Sequence, residues 1–341
     1  MAIAGGEQVA EHTQLPLEDG LSVVDDRGRT VLRIALLATV YFERGHSLEK
    51  RRAVAECFEE YRAMAGGHLR WAHPGSAGFD RLDGAVARDP AVWLVDPGLN
   101  ENAGWEFIWH GGATDEEASH FMIGGLGAPK WESDRRGDLG FFSFALPITW
   151  FADRPGGFPS LLFRFCERIQ PVHGYGGFGL VQSPNRFLNQ LHEKTVYALA
   201  MRHPGLEIDY PITHSLWLRD GIKGVNWLTI LGERWLAALG GASALGQALG
   251  GTAELRELQG GALVMAGPHP ELGDTNRALY PVSYGPVSRA LKPIRVKTHP
   301  RVHSMGPFGK EEFEAWLARL DGDRQDPGQR SGGHGTSLPP R

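Results

Sequence analysis

Cysteine is scarce in this chain: Cys57 and Cys166 are the only two in 341 residues. Two cysteines build neither a disulfide framework nor a zinc quartet. Each falls on the apolar side of a helical pattern, which suits small core hydrophobes. Long apolar runs are lacking as well. The longest, Ile34 to Phe42, is broken by Thr39 and is too short to cross a bilayer. The N-terminus has no basic segment followed by an apolar one, so no signal peptide is read and a cytoplasmic, soluble protein is expected. Excess positive charge is missing too. The net charge of −5 argues against nucleic acid as a direct ligand, because phosphate binding calls for a basic face. It suits a partner that is itself basic.

Several catalytic signatures are absent. There is no G-x-S-x-G for acyl transfer, and Gly75-Ser76-Ala77-Gly78 is one residue short of it. There is no H-E-x-x-H; His299 and His303 are four apart but separated by Pro300. The remaining histidines, including His68, His73, His110, His173 and His203, show no metal-ligand spacing. No metal and no cofactor are expected.

What the chain has in quantity is glycine, 46 residues, and aromatics, with ten Trp and sixteen Phe. The most motif-like stretch is Gly174-Tyr175-Gly176-Gly177-Phe178-Gly179-Leu180-Val181, which fits G-x-G-x-x-G-x-V. A kinase would add H-R-D and D-F-G, and neither occurs. A dinucleotide fold would place the glycines between a strand and a following helix. Here they follow a helix and enter a strand, so they read as sites of close packing. Gly176 or Gly177 is expected at a bulge or against an aromatic ring.

In chain order, Met1 to Gly20 is polar and aperiodic and reads as disordered. Val31 to Phe42 is a strand buried on both faces. Ser47 opens a helix to about Ala65, closed by Gly66-Gly67 in a left-handed cap. Further strands are read at Trp105–His110 and Leu139–Leu146, a helix at Phe158–Ile169, and the glycine strand to Gln182. The order is β-α-β-β-α-β, that of a ferredoxin-like unit with an antiparallel sheet and helices on one face.

Beyond it, Ser183-Pro184 opens a helix running to about Leu199. Ser215–Arg219 and Asn226–Leu231 are read as strands. Short helices follow near Trp235 and Leu245. A hairpin turns at Gln259-Gly260-Gly261. Helices over Val282–Leu291 and around Phe313–Leu320 come next, and Asp321–Arg341 reads as a solvated tail. The fold class is therefore α+β, with two ferredoxin-like-type halves over 21–182 and 183–320. Their similar element order suggests a divergent duplication.

Three stretches then become informative together: His203-Pro204-Gly205-Leu206-Glu207-Ile208-Asp209, Gly224-Val225-Asn226-Trp227-Leu228-Thr229-Ile230-Leu231-Gly232, and the glycine strand. With Gly273-Asp274-Thr275-Asn276 and Phe313-Glu314-Ala315-Trp316-Leu317, they resemble the type VI immunity family, whose role is immunity against VRR-NUC nuclease effectors. The resemblance spans about Val31 to Leu320. It implies a protein that binds a cognate effector toxin and occludes it, with no catalytic residue of its own and no direct contact with nucleic acid or membrane. A nuclease presents a basic groove, so an acidic rim is expected on this chain. The candidates are Asp115, Glu116, Glu117, Glu207, Asp209 and Asp220. Glu207 and Asp209 could alternatively form a buried acid pair. The competing reading is a small-molecule enzyme with an active site in the cleft between the halves.

Overall fold

The computed structural model describes residues 21–73, 78–83, 88–297 and 309–322. The expected disordered N-terminus and most of the C-terminal tail lie outside these residues, as do Gly75-Ser76-Ala77, His299 and His303.

The chain begins with β1 (Val23–Val24) and the long strand β2 (Thr30–Phe42), whose apolar run is buried almost throughout. Helix α1 (Leu48–Ala65) is capped by the Ser47 side chain, which accepts from the Lys50 amide at 3.3 Å. Its end differs from expectation. Gly66 is right-handed and the chain tightens into a 3-10 turn, which satisfies the last carbonyls without a left-handed glycine.

Short strands β3 (Trp71–His73) and β4 (Asp80–Arg81), helix α2 (Pro90–Trp93) and strand β5 (Trp105–His110) follow. Then come β6 (Met122–Gly127), helix α3 (Lys130–Arg136), β7 (Gly140–Leu146), α4 (Gly157–Ile169) and the glycine strand β8 (His173–Gln182). Strand β6 was not expected. It carries three glycines, which weaken the strand signal, and a Cβ at Gly127 would lie 2.1 Å from Trp105 Nε1.

The expected helix after Ser183-Pro184 begins later and is divided. Asn185 caps α5 (Arg186–Leu191), and α6 (Glu193–Arg202) restarts after His192. Strand β9 (Glu207–Ile208) leads to α7 (Pro211–Trp217). The strand expected at Ser215–Arg219 is thus the end of a helix, started by Pro211 at its first turn. Strand β10 (Leu228–Gly232), helices α8 (Glu233–Ala238) and α9 (Gly241–Leu249), and the hairpin β11 (Glu254–Leu258) and β12 (Gly261–Met265) follow as expected. Helices α10 (Tyr284–Leu291) and α11 (Lys310–Leu317) complete the described chain. Asp321, placed at the start of the tail, is instead anchored by Arg295 at 2.5 Å.

The result is α+β, and the described strands form one twelve-stranded sheet. Its order is β11-β12-β10-β8-β2-β7-β6-β5-β3-β4, with β1 on β2 and β9 on β8. The named strand pairs are antiparallel except β8–β9. On one face, α1 and α4 cover an aromatic layer. Phe58 meets Phe107 and Trp109 edge-on, and Phe165 meets Phe142 and Phe144 edge-on. The Tyr61 hydroxyl donates to the Ala145 carbonyl at 2.7 Å. The other face carries a smaller apolar set, Ala35, Leu37, Ala145 and Val181, followed along the strands by Thr39 and Ser143.

Strand β8 runs between β2 and β10 with continuous register against both, so it holds no bulge. Its glycines make room for neighbours. A Cβ at Gly176 would lie 2.8 Å from Leu162 Cδ2 and 3.3 Å from the Phe158 ring. The expectation of an aromatic ring against Gly176 therefore holds, and that of a bulge does not.

Candidate functional site

Polar chemistry concentrates where β8, β9 and the segment before β10 converge on the sheet's second face. A turn at Pro204-Gly205 sends the chain back along β8, pairing Glu207 with Gly179. Only glycine fits that turn, because a Cβ on Gly205 would lie 1.8 Å from the Glu271 carbonyl oxygen. The segment that follows is buried throughout, Glu207 and Asp209 at 3% and 9% exposure and Ile208 between them at 2%.

Lys223 answers both carboxylates. Its Nζ lies 2.7 Å from Glu207 Oε1 and donates to the Tyr175 hydroxyl and the Ile208 carbonyl, each at 2.9 Å. It also sits over the Tyr175 ring, 4.1 Å from the centroid. Asp209 accepts from the Tyr175 hydroxyl and from Thr39 Oγ1, and His214 Nδ1 is 3.6 Å from its Oδ1. Asn226 Nδ2 donates to Glu207 Oε2 at 3.3 Å. Burial pushes the Lys223 ammonium below its usual range, against the pull of Glu207 and Asp209. Burial likewise raises the Tyr175 and Tyr41 phenols well above theirs, with the Asp209 charge adding to it.

The C-terminal segment closes this cluster. Arg319 stacks on Trp316 at 3.8 Å and donates to the Pro204 carbonyl at 2.7 Å. Burial lowers the guanidinium to about 10.

Beside the cluster a cavity of about 310 Å³ opens on the same sheet face. Its floor is largely apolar, formed by Leu37, Ile108, Met122, Phe141 and Val181. Its walls are α5 and the chain from Asp209 to Thr213, and Glu117 and Asp209 are among the lining residues. Two side chains on the outer surface of α5, Phe187 and Leu191, are 66% and 62% exposed. His110 also lines the cavity. Burial lowers it to about 4, so its ring is neutral at pH 7.

The six acidic candidates do not form one rim. Glu207 and Asp209 are internal, as the buried-pair alternative has it, so they offer no acidic surface: Lys223 and the tyrosines already hold them. Asp115, Glu116 and Glu117 share a loop beside α5. There the Glu116 carboxylate pairs with Arg29 and accepts from Asn185 Nδ2 at 2.6 Å. Glu117 accepts from the Ala113 amide at 2.8 Å, a turn contact within that loop. Asp220 stands apart, its side chain 81% exposed and 3.2 Å from Arg219. Sequence reasoning missed Lys223, Tyr175 and Arg319. An isolated lysine carries no spacing signal, although Tyr175 was visible within the glycine stretch. Among the described residues, no three His, Cys, Asp or Glu side chains are placed to hold a metal ion, and no helix is long and apolar enough to cross a membrane.

The family model described as "Type VI immunity for VRR-NUC" matches residues 53–320. The chain belongs to this family. It is a type VI immunity protein, and its matched region contains most of the buried cluster and most of the sheet. A solved structure titled as a Pseudomonas aeruginosa T6SS protein, PA0821, superposes with a TM-score of 0.79 at 23% identity. The match covers 88% of the immunity protein and 87% of the other chain, and at that identity it speaks for a common fold. No curated protein matches the sequence.

Proposed function

We propose that this immunity protein works by binding a VRR-NUC effector and occluding the groove that would otherwise take DNA. The family match over 53–320 carries this reading. Its geometry is supported by one face on which the acidic loop 115–117, the exposed Phe187 and Leu191 of α5 and the cavity adjoin. Apolar anchors beside acidic groups suit a basic partner: the charges speed encounter and the anchors slow release. Asp115, Glu116 and Glu117 belong to this surface, with Asp220 as an outlying contact. The proposal places the protein in the cytoplasm and gives it no catalytic role.

It also retains two halves, 21–182 and 183–320. Outward from β8, the order is β2, β7, β6 on one side and β10, β12, β11 on the other. Each side runs first, third, second in chain order, which supports a ferredoxin-like first half with β8 as its fourth strand and a second half that borrows β8, an earlier strand, in the corresponding position.

The test is co-expression with the VRR-NUC effector encoded beside its gene. Host survival and co-purification are expected, with an association rate that falls as salt rises. Equal killing with and without the chain, both proteins being made, would refute the proposal. The small-molecule enzyme reading draws on the same cavity, where Asp209 of the second half meets Ser143 of the first. Turnover of a small substrate abolished by blocking that cavity would favour it.

A further inference from the structure

Helix α5 is built inside out. At helical spacing Arg186, Asn189 and Gln190 fall on one face, and Phe187 and Leu191 on another. The polar three line the cavity, whose floor is the apolar set Leu37, Ile108, Met122, Phe141 and Val181. The apolar pair stands exposed. A surface helix ordinarily does the reverse and turns its apolar stripe to the apolar layer beneath it. Of the three apolar residues of α5, only Leu188 is buried, on the remaining side.

The polar groups around the cavity are already held by the protein. Asp209 accepts from the Tyr175 hydroxyl and Thr39 Oγ1, and Glu117 accepts from the Ala113 and Thr114 amides. Gln182 Nε2 donates to the Asp209 carbonyl. At about 310 Å³ the space exceeds what bridging waters require, and its floor suits an apolar filling.

The ends of α5 let it move as a unit. Asn185 caps its start, and His192, at φ −104° and ψ 8°, separates it from α6. Its roll angle is held by Leu188 and by two side-chain hydrogen bonds. Asn185 Nδ2 donates to Glu116 Oε1 at 2.6 Å, and Asn189 Nδ2 to the Ser183 carbonyl at 2.9 Å.

We propose that α5 is a two-position lid, which rolls about its axis by about a third of a turn so that Phe187 and Leu191 fill the cavity. Arg186, Asn189 and Gln190 then face solvent. The roll buries two apolar side chains and releases one, Leu188, together with the two hydrogen bonds. Gain and loss are of similar size, as two populated positions require. The lid rests on the fold alone, and its use rests on the effector-binding reading. There the outward position presents the two anchors, and the rolled one withholds them until a partner selects the outward form.

The test places a single para-fluorine on Phe187 in the full chain, which keeps both anchors. Exposure of the ring is read from fluorine relaxation by a soluble paramagnetic agent. Met122→Trp fills the cavity and forbids the roll, so relaxation should rise about twofold, as comparable populations predict. Ile108→Phe fills the cavity from another strand should Met122→Trp lose the far-UV circular dichroism of the parent. Leu188→Ala should lower the relaxation, because it removes what the roll gives up. In a fixed helix, loss of that anchor would leave the ring as exposed or more so. Equal relaxation in the parent and a folded cavity-filled variant, or no fall with Leu188→Ala, would overturn the proposal. Co-expression with the effector separates the two readings. If wild type protects the host and the fluorine is unmoved by these changes, the lid is refuted and the immunity reading stands. If the fluorine responds as expected and wild type does not protect, the lid stands and the immunity reading fails.

Discussion

Replacing Lys223 by Met is the sharpest probe of how this fold holds together. The substitution keeps the apolar length of the side chain and removes one charge from a fully buried site. At an effective dielectric of about 20, unit charges at the 2.7 Å separation of Lys223 Nζ and Glu207 Oε1 attract by about 6 kcal/mol. Desolvation of both ions offsets much of that. What remains when one partner is deleted is an uncompensated buried carboxylate, at a cost of about 3–5 kcal/mol. Glu207→Gln alone should cost a similar amount, because it strands the ammonium. Lys223→Met with Glu207→Gln leaves neither charge stranded by the other. The double variant should therefore be more stable than the sum of the single losses by about 2 kcal/mol or more. Urea unfolding followed by tryptophan fluorescence reads all four corners of the cycle, provided the m-values agree. If Lys223→Met does not fold, Glu207→Gln against wild type still reports the pair. Additive losses, or a loss below about 1 kcal/mol for either single change, would show that the cluster is not coupled in this way.

Gly177→Ala would place a Cβ 2.1 Å from Asn226 Oδ1, which accepts from the Trp227 amide, so a loss of about 1–3 kcal/mol is expected on denaturation. Adding Asn226→Ala should lessen the further damage from Gly177→Ala, whereas the same penalty in both backgrounds would argue against that contact. Burial lowers His173 to about 3, so the folded protein keeps it neutral while the unfolded chain takes up a proton below about 6.5. Stability from this group is fully present above that pH and falls as pH drops from about 6.5 toward 3, by up to about 5 kcal/mol. His173→Gln should flatten the loss in a pH series of urea midpoints; an unchanged acid limb would assign the loss elsewhere.

Much of the fold was legible because the apolar runs are long and the caps ordinary. Strands β2 and β8, helices α1 and α4, and the β11–β12 hairpin all fall close to where periodicity and turn residues put them. Strand β6 was not legible: Gly124, Gly125 and Gly127 are there for neighbouring rings and backbone, and a glycine-rich run reads locally as a loop. The Ser215–Arg219 reading failed because the decisive signal, Pro211, lies several residues earlier and the helix is short. At the site, Glu207 and Asp209 read as rim residues, with a pair on one strand face as the alternative. Their burial depends on Lys223, Tyr175 and Arg319, which arrive from separate parts of the chain and share no spacing that sequence alone could join. Glu207 and Asp209 left the expected acidic rim for the same reason. Carboxylates look solvent-facing until the cation that neutralises them is found.

The placement of β8 also governs the order in which this chain can assemble. Leu32 pairs with Gln182 across much of the polypeptide, so the centre of the sheet cannot close until the glycine strand has emerged and found β2. Strand β10, on the far side, then needs β8 already in place as its template. Contacts so distant in sequence slow folding and leave apolar edges exposed meanwhile. A defect in β8 should therefore reduce the yield of soluble protein during synthesis by more than its effect on the finished fold would suggest.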